Sequence, residues 1–334
     1  MTLDRNLITN RSCSADILKG IGVILVVMGH VTHNVSLDNW IYAFHMPLFF
    51  LLSGIFFKPT FENWKKSFKR LLIPYIFFAI VSFVYWRFVE MKFRPLPDDF
   101  DVNMHVFDIF WQTKEFRFNV VLWFLPCLFI VQSIGWVLFS KVKDWRIALG
   151  ITIFWLALAS LIHCNVKSMW VNESFCAFPF FGVGYLIGKE RFVSAEKYLR
   201  SDSRNIYIVL AILPLIGAWF LNTRNDMHGS SYPNGYFLFF IIALVCIACS
   251  YVISAKFSMN KWLMWLGINS LAIMCIHEPL KRILIVVFSK ILHMKVLAVR
   301  ESIPLSILIT CVTIAAIVPI CMFINKKCKW VLGR

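Results

Sequence analysis

Charged side chains are scarce in this chain, at 16% of its 334 residues, against about 25% in an ordinary soluble domain. Acidic residues are scarcer still: 18 Asp and Glu stand beside 34 Lys and Arg, and no basic domain or tail collects the excess. Cations scattered in short clusters between apolar runs argue against a nucleic-acid surface and for a role in membrane topology. The C-x-x-C of Cys246 and Cys249 has no second pair and falls mid-helix in an apolar run, which points to packing residues and not to a metal or redox site. The other eight cysteines are scattered singly, so no disulfide framework is implied. Ser53, in "FFLLSG", lacks the G-x-S-x-G context of a nucleophile elbow and reads as packing. There is no internal repeat, low-complexity tract or added soluble domain, so residues 1–334 read as a single membrane domain.

Apolar residues make up 59% of the chain, with 33 Phe and 13 Trp. Ten apolar segments fall at roughly 15–33, 39–57, 71–89, 120–140, 146–163, 169–188, 205–222, 236–254, 262–280 and 303–325, each near the length of about 20 residues that spans a bilayer. The pattern predicts an all-α integral membrane protein of about ten transmembrane helices. The first segment has a signal peptide as its rival, with Arg5, Arg11 and Lys19 as the basic region. However, His30, Thr32, His33 and Asn34 stand where small cleavage-site residues belong, so it reads as a retained helix. With both termini cytoplasmic, 22 of the 34 Lys and Arg fall on the inner side, as the positive-inside rule favours. One loop opposes this: "KRILIVVFSKILHMKVLAVR" at 281–300 places five cations outside. The segment 90–119, mixed in charge, sits comfortably outside.

This topology puts His30 and His45 at one level of the outer half, with His277, Glu278 and Glu173 in the same layer. Intramembrane ionisable residues face the protein interior or a water-filled cavity and mark pathways or sites. His33, three residues past His30, belongs at the interface. His45 and His277 fit a functional or a satisfied-core role equally, and Glu173 also suits the start of a helix, where its charge complements the dipole. On the inner side, "KPTFENWKKSFKRLLIPY" offers Lys58, Lys65, Lys66, Lys69 and Arg70; Lys66, Lys69 and Arg70 share a helical face. Such a cluster either fixes topology or binds a phosphorylated cytosolic ligand. Gly20, Gly22 and Gly29 are expected to let helices approach closely, Pro126 to kink its helix, and Asn269 and Ser270 to hydrogen-bond between helices.

The ordered set "DILKGIGVILVVMGH", "FHMPLFFLLSG", "KRLLIPY", "LWFLPCLF", "FFGVGYLIG" and "LGINSLAIMCIH" resembles the membrane-bound acyltransferase family 3, particularly its branch related to fucose 4-O-acetylases. The resemblance implies a ten-helix domain in the bacterial cytoplasmic membrane. Such a domain passes an acyl group, usually acetyl, from cytosolic acetyl-CoA to a hydroxyl of a surface glycan, with no permanently bound cofactor. The family's helix-one histidine maps onto His30, and its basic motif onto the neighbourhood of Lys66, Lys69 and Arg70. Many relatives carry paired arginines where this chain has mostly lysines, which lack the bidentate fork. Asp16, at the start of helix one, complements the helix dipole or shapes the donor entrance. His45 or Glu173 would fix the tautomer of His30 as general base, with direct transfer or an acyl-histidine both open. Glycan acceptor, acetyl-CoA and the lipid bilayer are the expected partners. Two alternatives remain at this stage: a secondary transporter with a proton-relay layer, or an enzyme moving succinyl or another short acyl group.

Overall fold

The computed structural model describes residues 12–92, 119–161, 170–202, 206–221, 223–257 and 260–334. Arg5, Arg11 and the expected outer segment 90–119, apart from residues 90–92 and 119, lie outside them. The described residues form α1 (Cys13–Val31), α2 (Val35–Tyr42), α3 (His45–Ile55), α4 (Phe61–Phe88), α5 (Phe124–Phe139), α6 (Trp145–Leu161), α7 (Val171–Ser201), α8 (Ile206–Leu221), α9 (Tyr236–Lys256), α10 (Lys261–Ile268), α11 (Ser270–Ile291), α12 (Val296–Glu301) and α13 (Ile303–Lys327). Short 3-10 turns follow α4, precede α5 and close the chain. Among the described residues there is no strand, only a single bridge between Asp226 and Ser231.

The all-α expectation agrees with this architecture; of the ten expected spans, some meet the length and apolarity of a crossing helix. Helices occupy all ten segments, and among the described residues five are long and apolar enough to cross a membrane: Cys13–Val31, Phe61–Lys92, Val120–Phe139, Tyr236–Lys256 and Ile303–Lys327. A sixth arises if α7 and α8 are taken as one bent span. The other expected spans are broken or short. Segment 39–57 divides at Ala43–Phe44 into α2 and α3, and segment 262–280 divides at Asn269 into α10 and α11. Helix α6 has 17 residues and α8 has 16, and α7 breaks its winding at Gly188, whose φ of 67° suits a residue without Cβ. Pro126 does not kink α5: it lies in the first α turn, where 3-10 winding gives way to α, and the helix beyond it is continuous.

Helix α1 lies at the centre, with 72% of its apolar window buried, against 33% for α4 and α13. Ser12 caps its start by accepting from the Ala15 N–H, and the buried Glu196 carboxylate of α7 accepts from Ser12 Oγ (2.5 Å) and the Ser14 N–H (3.1 Å). A carboxylate at a helix N-terminus is favoured by the unpaired N–H groups there. Backbone-close crossings fix the neighbours of α1. A Cβ on Gly20 would stand 2.2 Å from Leu263 O, and one on Gly267 1.7 Å from Asp16 O, so α1 and α10 touch through their backbones. Gly54 and Gly184 do the same for α3 and α7, against Phe181 O and Leu51 O. Gly22 and Gly29 accommodate the side chains of Phe49 and Ile41. Between helices lacking a hydrophobic driving force in lipid, such close approach and the hydrogen bonds it permits hold the bundle. Asn325 Nδ2 donating to Asn269 Oδ1 at 2.6 Å is one of those bonds, between α13 and the α10–α11 break.

Candidate active site

Two histidines separated by almost the whole chain meet where α1 ends beside α11. The rings of His30 and His277 lie 5.5 Å apart, tilted by 44°. The Nδ1–H of His277 donates to the Met274 carbonyl at 2.8 Å. A carbonyl can only accept, so this contact fixes the Nδ1–H tautomer and leaves Nε2 as an acceptor. That Nε2 is buried, with no hydrogen-bond partner among the described residues. His45 opens α3 in the same way, its Nδ1–H donating to Ile41 O at 2.8 Å and its ring 4.8 Å from that of Tyr42, and it is near enough to act electrostatically on His30.

Most of the charges around this layer are paired. Lys281 lies 3.1 Å from a Glu278 oxygen and donates to His30 O at 2.6 Å. Arg300 donates to Val31 O (2.9 Å) and His30 O (3.1 Å). Two cations therefore hold the last carbonyls of α1, which have no partner within the helix and carry its negative dipole end. Arg282 pairs with Glu278 at 3.0 Å and holds both oxygens of Glu90 at 2.7 and 2.8 Å. Further out, Arg224 reaches Asp38 at 3.3 Å and lies over the Tyr42 ring. Burial pushes the Asp38 carboxyl up to about 6, opposed by Arg224. His33 is exposed, and its N–H donates to Arg300 O. Partial desolvation of its ring and the nearby Arg300 and Arg224 charges lower its pKa from the usual imidazole value.

The opposite end of α1 borders a cavity of about 590 Å³. Its cationic lining is Lys19, Lys58, Lys66, Arg70 and Arg334. Gln132 donates to Ser53 Oγ on its wall at 2.7 Å. Deeper, Val23, Val26, Phe49, Leu128, Leu271 and Met274 make it apolar. On α1, the lining residues Lys19, Val23 and Val26 follow spacings of four and three, and the next position on that face is His30. At 1.5 Å per residue, Val26 stands about 6 Å short of it along the axis. On α11, Met274 is likewise one turn from His277.

The expected residues are thus sorted into two sets. His30, His45, His277 and Glu278 gather at one layer. Glu173 is placed elsewhere, paired with His228 at 3.4 Å, with His228 stacked on Trp123 at 5.3 Å. Lys66 and Arg70 line the cavity; Lys69 does not, and its carbonyl packs against Gly333. Asp16 is buried beside the cavity's Lys19, at 4.0 Å. Ser53 and Ser270, expected as structural, lie on the cavity wall. Lys281, Arg282 and Arg300 were expected in an outer loop. They belong to α11 and α12 and face α1, because α11 runs to Ile291 and not to 280. The signal was available: Lys281 lies four residues after His277 and Arg282 four after Glu278, the spacing of one helical face. Arg334, tucked against α4 by the turn at Gly333 (φ 63°), had no local signal.

A helical bundle with several apolar spans, a cation-lined cavity under one end of its central helix and a histidine pair near the other defines a polytopic membrane protein with polar groups gathered at two levels. The family model described as an acyltransferase domain, acyltransferase family 3, matches residues 14–326. The chain belongs to that family and is a membrane acyltransferase. No curated protein and no solved structure matches it.

Proposed function

We propose that the protein is an O-acetyltransferase of the bacterial cytoplasmic membrane that takes acetyl from cytosolic acetyl-CoA and gives it to a hydroxyl of a surface or lipid-linked glycan. The observation that carries this reading is the cavity whose mouth is cationic and whose apolar end stops one turn below His30 and His277. Phosphates suit the ammonium and guanidinium groups of Lys19, Lys58, Lys66, Arg70 and Arg334. The uncharged arm of the donor suits the apolar stretch, and its thioester would then arrive beside the histidines. Under the positive-inside rule the basic end faces the cytoplasm, with both termini on that side.

In the proposed reaction His30 removes the proton of the glycan hydroxyl as that oxygen attacks the thioester carbonyl carbon. The tetrahedral intermediate collapses with cleavage of the C–S bond, and the CoA thiolate leaves and takes up the proton that His30 removed, which restores the neutral imidazole. His30 stands at the α1 end held by Lys281 and Arg300, which fixes its place against His277. His277, whose free ring nitrogen is an acceptor, is the residue able to orient the His30 proton. Pre-set geometry of this kind is what general-base catalysis requires. The test is acetyl transfer and CoA binding by detergent-purified protein. His30→Ala should lose transfer and keep CoA binding; near-normal transfer would refute the general-base role. Mass spectrometry of surface glycans from cells with and without the protein identifies the acceptor, and unchanged acetylation would refute a glycan substrate.

A further inference from the structure

A second, smaller cavity lies at the same end of the bundle, and nothing in the reaction above uses it. Its volume is about 320 Å³, at the small end of the range of roughly 300–1,000 Å³ for ligand pockets, which suits one nucleoside phosphate better than a whole cofactor. Lys58, Lys143, Lys189 and Arg191 line it against a single carboxylate, Asp144. The rest of its wall includes Phe56, Phe57, Tyr185 and Trp145, and Trp145 is 59% exposed. The φ of 67° at Gly188 interrupts α7 here, and nothing lies within 4 Å of where a Cβ would stand. The break turns the chain so that Lys189 and Arg191 border this space.

The two cavities are neighbours through one wall: Phe56, Phe57 and Lys58 line both. That wall is a capped turn, with Asn63 Nδ2 donating to Thr60 Oγ1 at 2.9 Å and to Lys58 O at 3.3 Å. A single ligand with two separated phosphate groups and an aromatic base would engage both spaces at once. A cation excess surrounded by aromatic faces suits a nucleotide, since guanidinium and ammonium groups take the phosphate while the rings take the base.

We infer that this second cavity holds the 3′-phosphoadenosine end of the acyl-CoA donor, while the larger one holds the diphosphate and the acyl-bearing arm. The inference rests on the acyl-CoA reading above. It makes the site a specificity element, one that separates CoA from its 3′-dephospho form. Removing one phosphate contacted by charged donors is expected to cost about ten- to a hundredfold in kcat/KM.

The experiment compares acetyl-CoA with 3′-dephospho-acetyl-CoA as donors for purified wild type and for a Lys143→Gln, Lys189→Gln, Arg191→Gln triple variant that elutes as folded protein. Wild type should prefer acetyl-CoA by the factor above, and the triple variant should bring the ratio close to one. Lys66→Gln with Arg70→Gln should weaken both donors together, because both share the diphosphate. A wild type that uses the two donors equally, or a triple variant that keeps the preference, overturns the assignment and leaves the acyl-CoA reading standing. A defect of the triple variant that appears only in vesicles containing phosphatidylglycerol also overturns it and assigns the cavity to lipid phosphate. A wild type that uses neither donor refutes the acyl-CoA reading itself.

Discussion

The two ends of α1 handle charge in opposite ways. At the histidine layer, Glu278 sits between Lys281 and Arg282, Arg282 also holds Glu90, and Asp38 meets Arg224. At the basic end, Lys58, Lys66 and Arg70 are exposed and have no carboxylate within ion-pair distance among the described residues. Buried ions are tolerated when paired and hydrogen-bonded, and unpaired burial is costly. The first arrangement therefore yields a frame whose charges are largely paired within the protein. The second leaves solvated cations that are open to an anionic ligand. Chemistry is expected at the frame and donor capture at the open cluster.

The largest effect should come from His30→Ala, which is expected to lower acetyl transfer by about 100- to 10,000-fold while CoA binding persists. The exposed His33 lies three residues away, and His33→Ala should change transfer by no more than about twofold. Equal losses from the two variants, measured in one transfer assay, would dissolve the distinction between the layer and its surroundings. Next in size is the basic end. Lys66→Gln with Arg70→Gln should raise KM for acetyl-CoA by roughly ten- to a hundredfold. The wild-type KM should itself climb with added salt, because exposed cations are screened whereas buried pairs are screened much less. A salt-independent KM would argue that the cluster serves topology alone.

A smaller effect tests the link between the ends. Gly20→Ala puts a Cβ 2.2 Å from Leu263 O at the crossing of α1 and α10. Such overpacking costs about 1–3 kcal/mol, read as a lower Tm in detergent. Gly150→Ala, with nothing within 4 Å of its Cβ, should hold or raise Tm. The smallest expected effect is at Asp38, outside the candidate spans. Its pKa is raised from 3.8 to about 6 in the fold, so between those values the folded protein binds more protons than the unfolded chain. Stability conferred by this group is present below about pH 4 and is lost as pH rises through 6. Asp38→Asn should flatten the dependence of Tm on pH in that window; an unaltered profile would remove Asp38 from the account.

Much of this division was legible in the residues themselves. Apolar runs report a lipid environment wherever they occur, because each residue's transfer preference is local, and helical rise turns position along a run into depth. That reasoning brought His30, His45, His277 and Glu278 to one layer and Lys66 and Arg70 to the other end. It failed where a run is interrupted without a polar signal. Ala43–Phe44 sits within an apolar stretch, and Asn269 and Ser270 are only a pair of adjacent polar residues in theirs, so hydropathy read two unbroken spans there. It also placed Lys281 and Arg282 in solvent, since a cation ends an apolar run whether or not its helix continues.

Composition and spacing determined an all-α membrane chain, histidines within or beside apolar runs and a basic segment, because these follow from how each residue meets lipid or water. Tertiary structure alone decided that His277 would face His30, that Glu173 would pair with His228 instead, and that Arg334 would join Lys66 and Arg70 around one cavity. Those pairings depend on backbone-close crossings at Gly20, Gly54, Gly184 and Gly267. Which helix another meets at a missing Cβ is a property of the packed bundle, since the fit requires both surfaces at once.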